Sequence, residues 1–208
     1  MFGDPIINQH QFSFVPFHGV MERCVDIGSN GANEVVVANL DMKDTEDYAL
    51  LIRTMNFTSN DFINKVKYIS EEAYNFFKKS KVYGGEIIFN KIGSAGQNFI
   101  MPNLNRPVSL GLNQIMITTK NINTVYLFHY LNTTYGKHQI NSRVQGAVTK
   151  SIQKTELKKI PIMYPTISLQ NSFADFVKQI DKSSFVMQKD LEKLENTHFC
   201  VDFQDKML

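Results

Sequence analysis

Seven residues near the end of the chain share one spacing. Phe173, Val177, Ile180, Ser184, Met187, Leu191 and Leu194 follow one another in alternating steps of four and three. That is the heptad spacing of a helix laying one apolar stripe against another helix. Between the stripe positions stand Asp175, Lys178, Asp181, Lys182, Lys189, Asp190, Glu192 and Lys193, which suit a solvated face. Over residues 169–194, a helix rising ~1.5 Å per residue is roughly 40 Å long. That is long for the side of a small domain. The pattern fits two arrangements: an amphipathic helix folded onto its own domain, or a spacer that pairs with a second helix.

The remaining chain is long enough for one domain with its own core. Its elements read as α+β, a small mixed sheet with flanking helices over 1–165, followed by the long helix over 166–208. The only clear boundary is at Pro165-Thr166, where charge and period both change. No apolar run approaches the ~18–20 residues of a membrane span. The opening MFGDPIINQHQ lacks the basic-then-apolar layout of a signal peptide. Cys24 and Cys200 lie far apart without metal-ligand spacing, which fits a reducing compartment and makes the cytoplasm the expectation.

A net charge of +2 conceals a segregation. Residues 1–77 carry a net charge of −6, residues 78–165 carry +10 with Glu86 and Glu156 as the only acids, and residues 166–208 carry −2. A basic middle block nearly free of acids is the electrostatic footprint of a protein that meets a polyanion, nucleic acid first among them.

Along the chain, Phe12 to Phe17 reads as a short edge strand, and Val20 to Val25 as a strand or helical turn. The β-branched run Val35-Val36-Val37 predicts a strand over 34–40. Tyr48 to Met55 reads as a buried strand carrying Arg53. Ser70 is placed to cap a helix over 71–80, with acids in the first turn and Lys78 and Lys79 in the last. Val82 to Gly96 reads as turn, strand and a second Gly-rich turn, with a returning strand at Gln97 to Met101. Gly93 and Gly96 there allow backbone N–H groups to face an anion, although no Gly-Lys-Ser/Thr follows to make a P-loop. Leu110 to Thr118 predicts a strand, 123–142 a helix, 152–159 a helical segment and Ile160 to Tyr164 a strand. Ser168 is placed to cap the long helix.

In this order, several stretches resemble the DNA specificity (S) subunit of type I restriction–modification systems. They begin with Phe2-Gly3-Asp4-Pro5 and Asn8. Next come Gly85-Glu86-Ile87-Ile88 with Lys91, Gly93-Ser94 and Gly96, then Asn113-Gln114. Gly146, Thr149, Ile152, Leu157, Ile160, Pro161, Ile162, Pro165 and Gln170 complete the set. Glu86 stands where that family usually has Asp, and Tyr164-Pro165 where it has Pro-Pro. The resemblance implies a target recognition domain over 1–165 and a conserved long helix over 166–208. A typical S subunit has two such halves whose helices pack antiparallel. This chain carries one, which implies a homodimer, or pairing with another half-length chain through the seam, and a palindromic, gapped site. The start resembles a mid-subunit junction, as a split or rearranged gene would give. The implied partners are double-stranded DNA, methyltransferase (M) subunits and a restriction (R) subunit. S-adenosylmethionine and ATP belong to those partners, so no cofactor is expected on this chain.

Chemistry of its own is not legible. There is no Asn/Asp-Pro-Pro-Tyr/Phe methyltransferase motif and no Pro-Asp…(Asp/Glu)-x-Lys nuclease cluster. His10, His18, His129, His138 and His198 show no metal spacing. The expectation is therefore a non-catalytic recognition subunit. Its alternatives are an oligomerising interaction protein whose basic face binds another polyanion, and a nuclease fragment. Candidate DNA contacts are the polar and basic residues near the basic block: Arg53, Lys91, Ser94, Gln97 and Asn98 in the first group, and Asn141, Arg143, Gln145, Thr149, Lys150 and Lys154 in the second. Arg, Asn and Gln have the geometry for base edges, and Lys150 and Lys154 suit phosphate.

Overall fold

The computed structural model describes residues 2–204, and for residue 185 and residues 190–204 the backbone alone. The chain opens with β1 (Ser13–Pro16), β2 (Met21–Asp26) and α1 (Asn33–Ala38). There follow β3 (Ala49–Ile52), α2 (Thr54–Thr58), β4 (Lys67–Ile69), α3 (Glu71–Phe76) and β5 (Lys81–Val82). The basic block supplies β6 (Ile87–Asn90), β7 (Asn98–Ile100), β8 (Val108–Leu110), β9 (Gln114–Thr119), α4 (Thr124–Asn132), α5 (Thr134–Asn141) and α6 (Lys154–Leu157). β10 (Pro161–Tyr164) then leads into α7 (Ile167–Gln204).

Two four-stranded sheets lie at the centre, and strand alternation shows how they stack. One has the order β2-β9-β6-β7 and is antiparallel throughout; the other, β4-β3-β8-β5, has a parallel pair at β3–β8. Side chains alternate faces along a strand. Ile87 and Phe89 of β6, with Ile115 and Ile117 of β9, point into a core shared with Tyr126, Leu127, Tyr130 and Leu131 of α4. Their neighbours Ile88 and Met116 point the other way, onto Leu50, Ile52, Val108 and Leu110 of the second sheet. Ala49, Leu51 and Ile69 turn to the far side, against Ala73, Tyr74 and Phe77 at α3. The order of layers is therefore helix, sheet, sheet, helix. Strands buried on both faces read as unbroken apolar runs, as β3 and β6 do.

β1 and β10 form a separate antiparallel pair, Ser13 opposite Tyr164. α4 is pinned to β10 by two tyrosines: Tyr126 donates from its hydroxyl to the Met163 carbonyl and Tyr130 to the Pro161 carbonyl, both at 2.8 Å. Burial pushes both phenols above their ordinary pKa.

Several sequence expectations are corrected. Residues 33–38 are helical rather than extended. Only Val36 of the three valines is buried there, so packing of one residue per turn overrides β-propensity. The helix expected over 123–142 is two helices. Thr133 ends the first, donating to the Tyr130 carbonyl at 2.7 Å, and caps the second, accepting from Gly136 N at 3.0 Å. Ser168 lies inside α7, not before it. Ser70 does cap α3, accepting from Ala73 N at 3.2 Å, but α3 stops at Phe76 and a short 3-10 turn follows.

α7 has 38 residues, about 57 Å at the usual rise. Its first turns dock on α4. Gln170, fully buried, accepts from Asn123 N at 2.9 Å and donates to the Pro165 carbonyl at 2.8 Å. Phe173 packs on Phe2, Tyr126 and His129, and Ala174 is buried. Beyond Val177 the helix leaves the domain, and Ile180, Ser184 and Met187 are exposed. The side chains of Leu191 and Leu194, which complete the heptad pattern, lie outside the described residues.

Candidate nucleic-acid interface

The β6–β7 hairpin and the segment after α5 meet at one end of the first sheet. Phe89 pairs with Asn98 in the ladder, and the Gly93–Gly96 turn closes it. Gly96, at φ +88°, has no room for a side chain: a Cβ there would stand 2.4 Å from Ile140 Cγ2 of α5. The turn is joined to the loop between α5 and α6 by backbone bonds, Gly93 N to the Lys150 carbonyl at 3.0 Å and Ile152 N to the Lys91 carbonyl at 2.9 Å. Gly146 (φ +99°) lets that loop fold back, with Gln145 and Ser151 exchanging backbone bonds of 2.8 Å. The N–H groups of Gly93 and Gly96, expected from sequence to face an anion, donate instead to Lys150 and Asn90.

Between hairpin, α5 and loop lies an open groove of about 810 Å³. Its walls include Ser94, Gln97 and Asn98 from the hairpin side, Asn132, Lys137 and Asn141 from the helices, and Lys150 from the loop. No acidic residue lines it. Lys137 and Lys150 are exposed, and neither forms an ion pair among the described residues. Asn98 is buried and accepts from Asn132 Nδ2 at 2.8 Å, which links β7 to the end of α4. Thus five of the sequence-derived candidates (Ser94, Gln97, Asn98, Asn141 and Lys150) come together. Lys137 and Asn132 join them without having been singled out. Their signal is weak: each is one polar residue in a helix, and only the break at Thr133 turns α5 so that it walls the groove.

The other candidates stand elsewhere. Lys91 and Lys154 converge on Asp26 at the end of β2, their Nζ atoms 2.8 and 2.7 Å from its two carboxylate oxygens. Ser29 Oγ donates to the same carboxylate at 3.0 Å. Burial alone would raise the Asp26 pKa, but the hydrogen bonds from Lys154 and Lys91 outweigh it and hold the carboxyl at about 2. Lys91 precedes the hairpin turn and Lys154 follows the loop, so Asp26 ties together the roots of both walls. Arg53 donates to the Lys65 carbonyl at 2.8 Å, away from the groove lining. Arg143 is half-buried and donates to the carbonyl and side chain of Gln139, at 2.6 and 3.0 Å. Gln145 and Thr149 are exposed on the loop beside the groove.

Among the described residues no cluster of three His, Cys, Asp or Glu is placed to hold a metal ion. No described helix is long and apolar enough to cross a membrane. Burial raises the Cys24 thiol pKa, against the opposing pull of Lys158 and Lys154.

Residues 26–196 match the family model described as the type I restriction modification DNA specificity domain. No curated protein matches the chain in sequence. Among solved structures, the chain is similar to one from a study of complex assembly and conformational transition of the type I R-M system. Identity is 11%, with 86% of this chain and 40% of that one covered, at a TM-score of 0.54. A second similar structure is the type I restriction-modification system S subunit from M. genitalium, at 11% identity, 84% and 40% coverage and a TM-score of 0.47. The chain spans about 40% of the length of either.

Proposed function

From a chain that belongs to the type I restriction modification DNA specificity domain family, we propose a non-catalytic subunit that reads one half-site of double-stranded DNA. Residues 1–165 act as the target recognition domain. Residues 166–208 act as the spacing and pairing helix, through a second copy or another half-length chain. Methyltransferase and restriction subunits complete the assembly, and S-adenosylmethionine and ATP are theirs to bind. The observation that carries this function is the groove walled by Gln97, Asn141, Lys137 and Lys150 and free of acids. Phosphate contacts from lysines give affinity, and amides between them reach base edges. Lys91 and Lys154, spent on Asp26, shape the walls instead of touching DNA.

Charge reversal tests the groove. With the M subunit present, Lys137→Glu together with Lys150→Glu abolishes binding to duplex DNA in a gel-shift, while the sedimentation profile is unchanged. Duplex binding at the unaltered level in the double variant overturns the assignment.

A further inference from the structure

We propose that Gln97 reads a base edge from within the groove, and that Lys137 and Lys150 hold the sugar–phosphate backbone around it. This rests on the DNA-binding function proposed above and assigns separate roles within it. Gln97 stands where the hairpin turn rejoins β7. Its backbone is fixed on both sides: its N–H donates to the Ser94 carbonyl at 3.1 Å, and its carbonyl accepts from Asn90 N at 2.8 Å.

Its side chain is exposed to the groove yet tethered behind it. Gln97 Oε1 accepts from Asn90 Nδ2 at 3.3 Å. Asn90 is fully buried, and its own Oδ1 accepts from Thr54 Oγ1 at 2.8 Å. A buried amide must have its hydrogen bonds met, so Asn90 holds the oxygen of Gln97 toward the protein. A side chain already held this way loses less rotamer freedom when it binds.

The tether also sets polarity. With one of the two lone pairs of its oxygen engaged, Gln97 leads into the groove with its N–H donors. A glutamine with both ends free pairs bidentately with adenine. One held by its oxygen and leading with its donors favours edges that only accept, O6 and N7 of guanine or O4 of thymine. The lysines have a different chemistry. An ammonium is a point charge without directional selectivity among bases, and it suits phosphate. Lys137 on α5 and Lys150 on the loop stand on walls that do not carry Gln97.

The experiment is selection of duplexes from a random pool by the full chain with its M subunit, followed by salt titration on the enriched duplex. All three side chains are exposed, and circular dichroism melts matched to the wild type show that the variants are folded. The wild type enriches one motif that specifies guanine or thymine at the Gln97 contact. Gln97→Leu relaxes that position alone and weakens the enriched duplex about tenfold, with an unchanged salt slope. Gln97→Glu, an acceptor only, shifts the same position toward cytosine or adenine. Lys137→Ala and Lys150→Ala each weaken all duplexes alike, keep the motif, and reduce the salt slope by about one. If Gln97→Leu selects the wild-type motif, or lowers the salt slope, the role given to Gln97 is wrong and the DNA-binding function stands. If the wild type selects nothing, the function itself fails and the inference falls with it.

Discussion

Asp26 joins the roots of both groove walls, through Lys91 before the hairpin turn and Lys154 after the loop. Its folded carboxyl is held at about 2 by Lys154 and Lys91, against an ordinary value near ~3.9. The unfolded chain therefore takes up the proton first. Stability from this group is complete above about pH 5 and is lost as pH falls through about 2, by an amount on the order of 2 kcal/mol. Acid unfolding of Asp26→Asn, followed by circular dichroism, should lack this limb, with lower stability than wild type at pH 7 and convergence only below about pH 2. Equal stability at both pH values would show that the lysines are indifferent to it. Gly96 is the other determining residue. Gly96→Ala meets Ile140 at 2.4 Å and must hold φ +88°, so it should cost about 2 kcal/mol in denaturant unfolding. An unchanged midpoint would mean that the hairpin lifts freely from α5. Neither dependence is legible in sequence. Asp26 and Lys154 lie 128 positions apart, and a glycine in a turn does not reveal what packs over it.

The elements that sequence does reveal are those whose own pattern is decided by local packing. β6, β9 and β10 follow from apolar runs between turn signals, the hairpin from its glycines, and the Ser70 cap from a hydroxyl before two glutamates. Where a long-range contact decides, local pattern misleads. Val35-Val36-Val37 is helical because one valine per turn finds a core, and the break at Thr133 depends on a side-chain cap inside an otherwise continuous apolar stripe. α7 shows both cases in one helix. Its heptad stripe is legible, but Phe173 at the start of that stripe belongs to the domain. Gln170, outside the stripe, latches the helix to Asn123 and Pro165. Gln170→Leu strands the Asn123 N–H and the Pro165 carbonyl. It should lower the global unfolding free energy by about 1–3 kcal/mol and raise hydrogen exchange at the start of α7. No change in exchange would assign the docking to Phe173 and Ala174 alone. Farther out, Ile180 and Met187 are 48% and 60% exposed, as positions awaiting a partner helix would be. Ile180→Lys with Met187→Lys should reduce the sedimenting species to a monomer. A dimer that survives both would place pairing on another surface. Ser184 lies between them, small enough for two helices to approach closely.

At the scale of the whole molecule, charge and architecture point the same way. The block of +10 over residues 78–165 supplies the groove-lining lysines Lys137 and Lys150. It also supplies Lys91 and Lys154, which brace the walls, so charge in sequence overstates the cations available to DNA. Affinity for duplex DNA should fall steeply as salt rises, with a slope that reports only the few phosphates contacted. An affinity independent of salt would argue against phosphate contact altogether. In the proposed assembly this chain reads DNA sequence, one half-site per copy, on a helix that sets the spacing. The most direct test is to sequence the duplexes that the full chain, with its methyltransferase partner, retains from a random pool. One enriched motif is expected, a gapped palindrome whose halves are equivalent. Retention without any enriched sequence would contradict this reading.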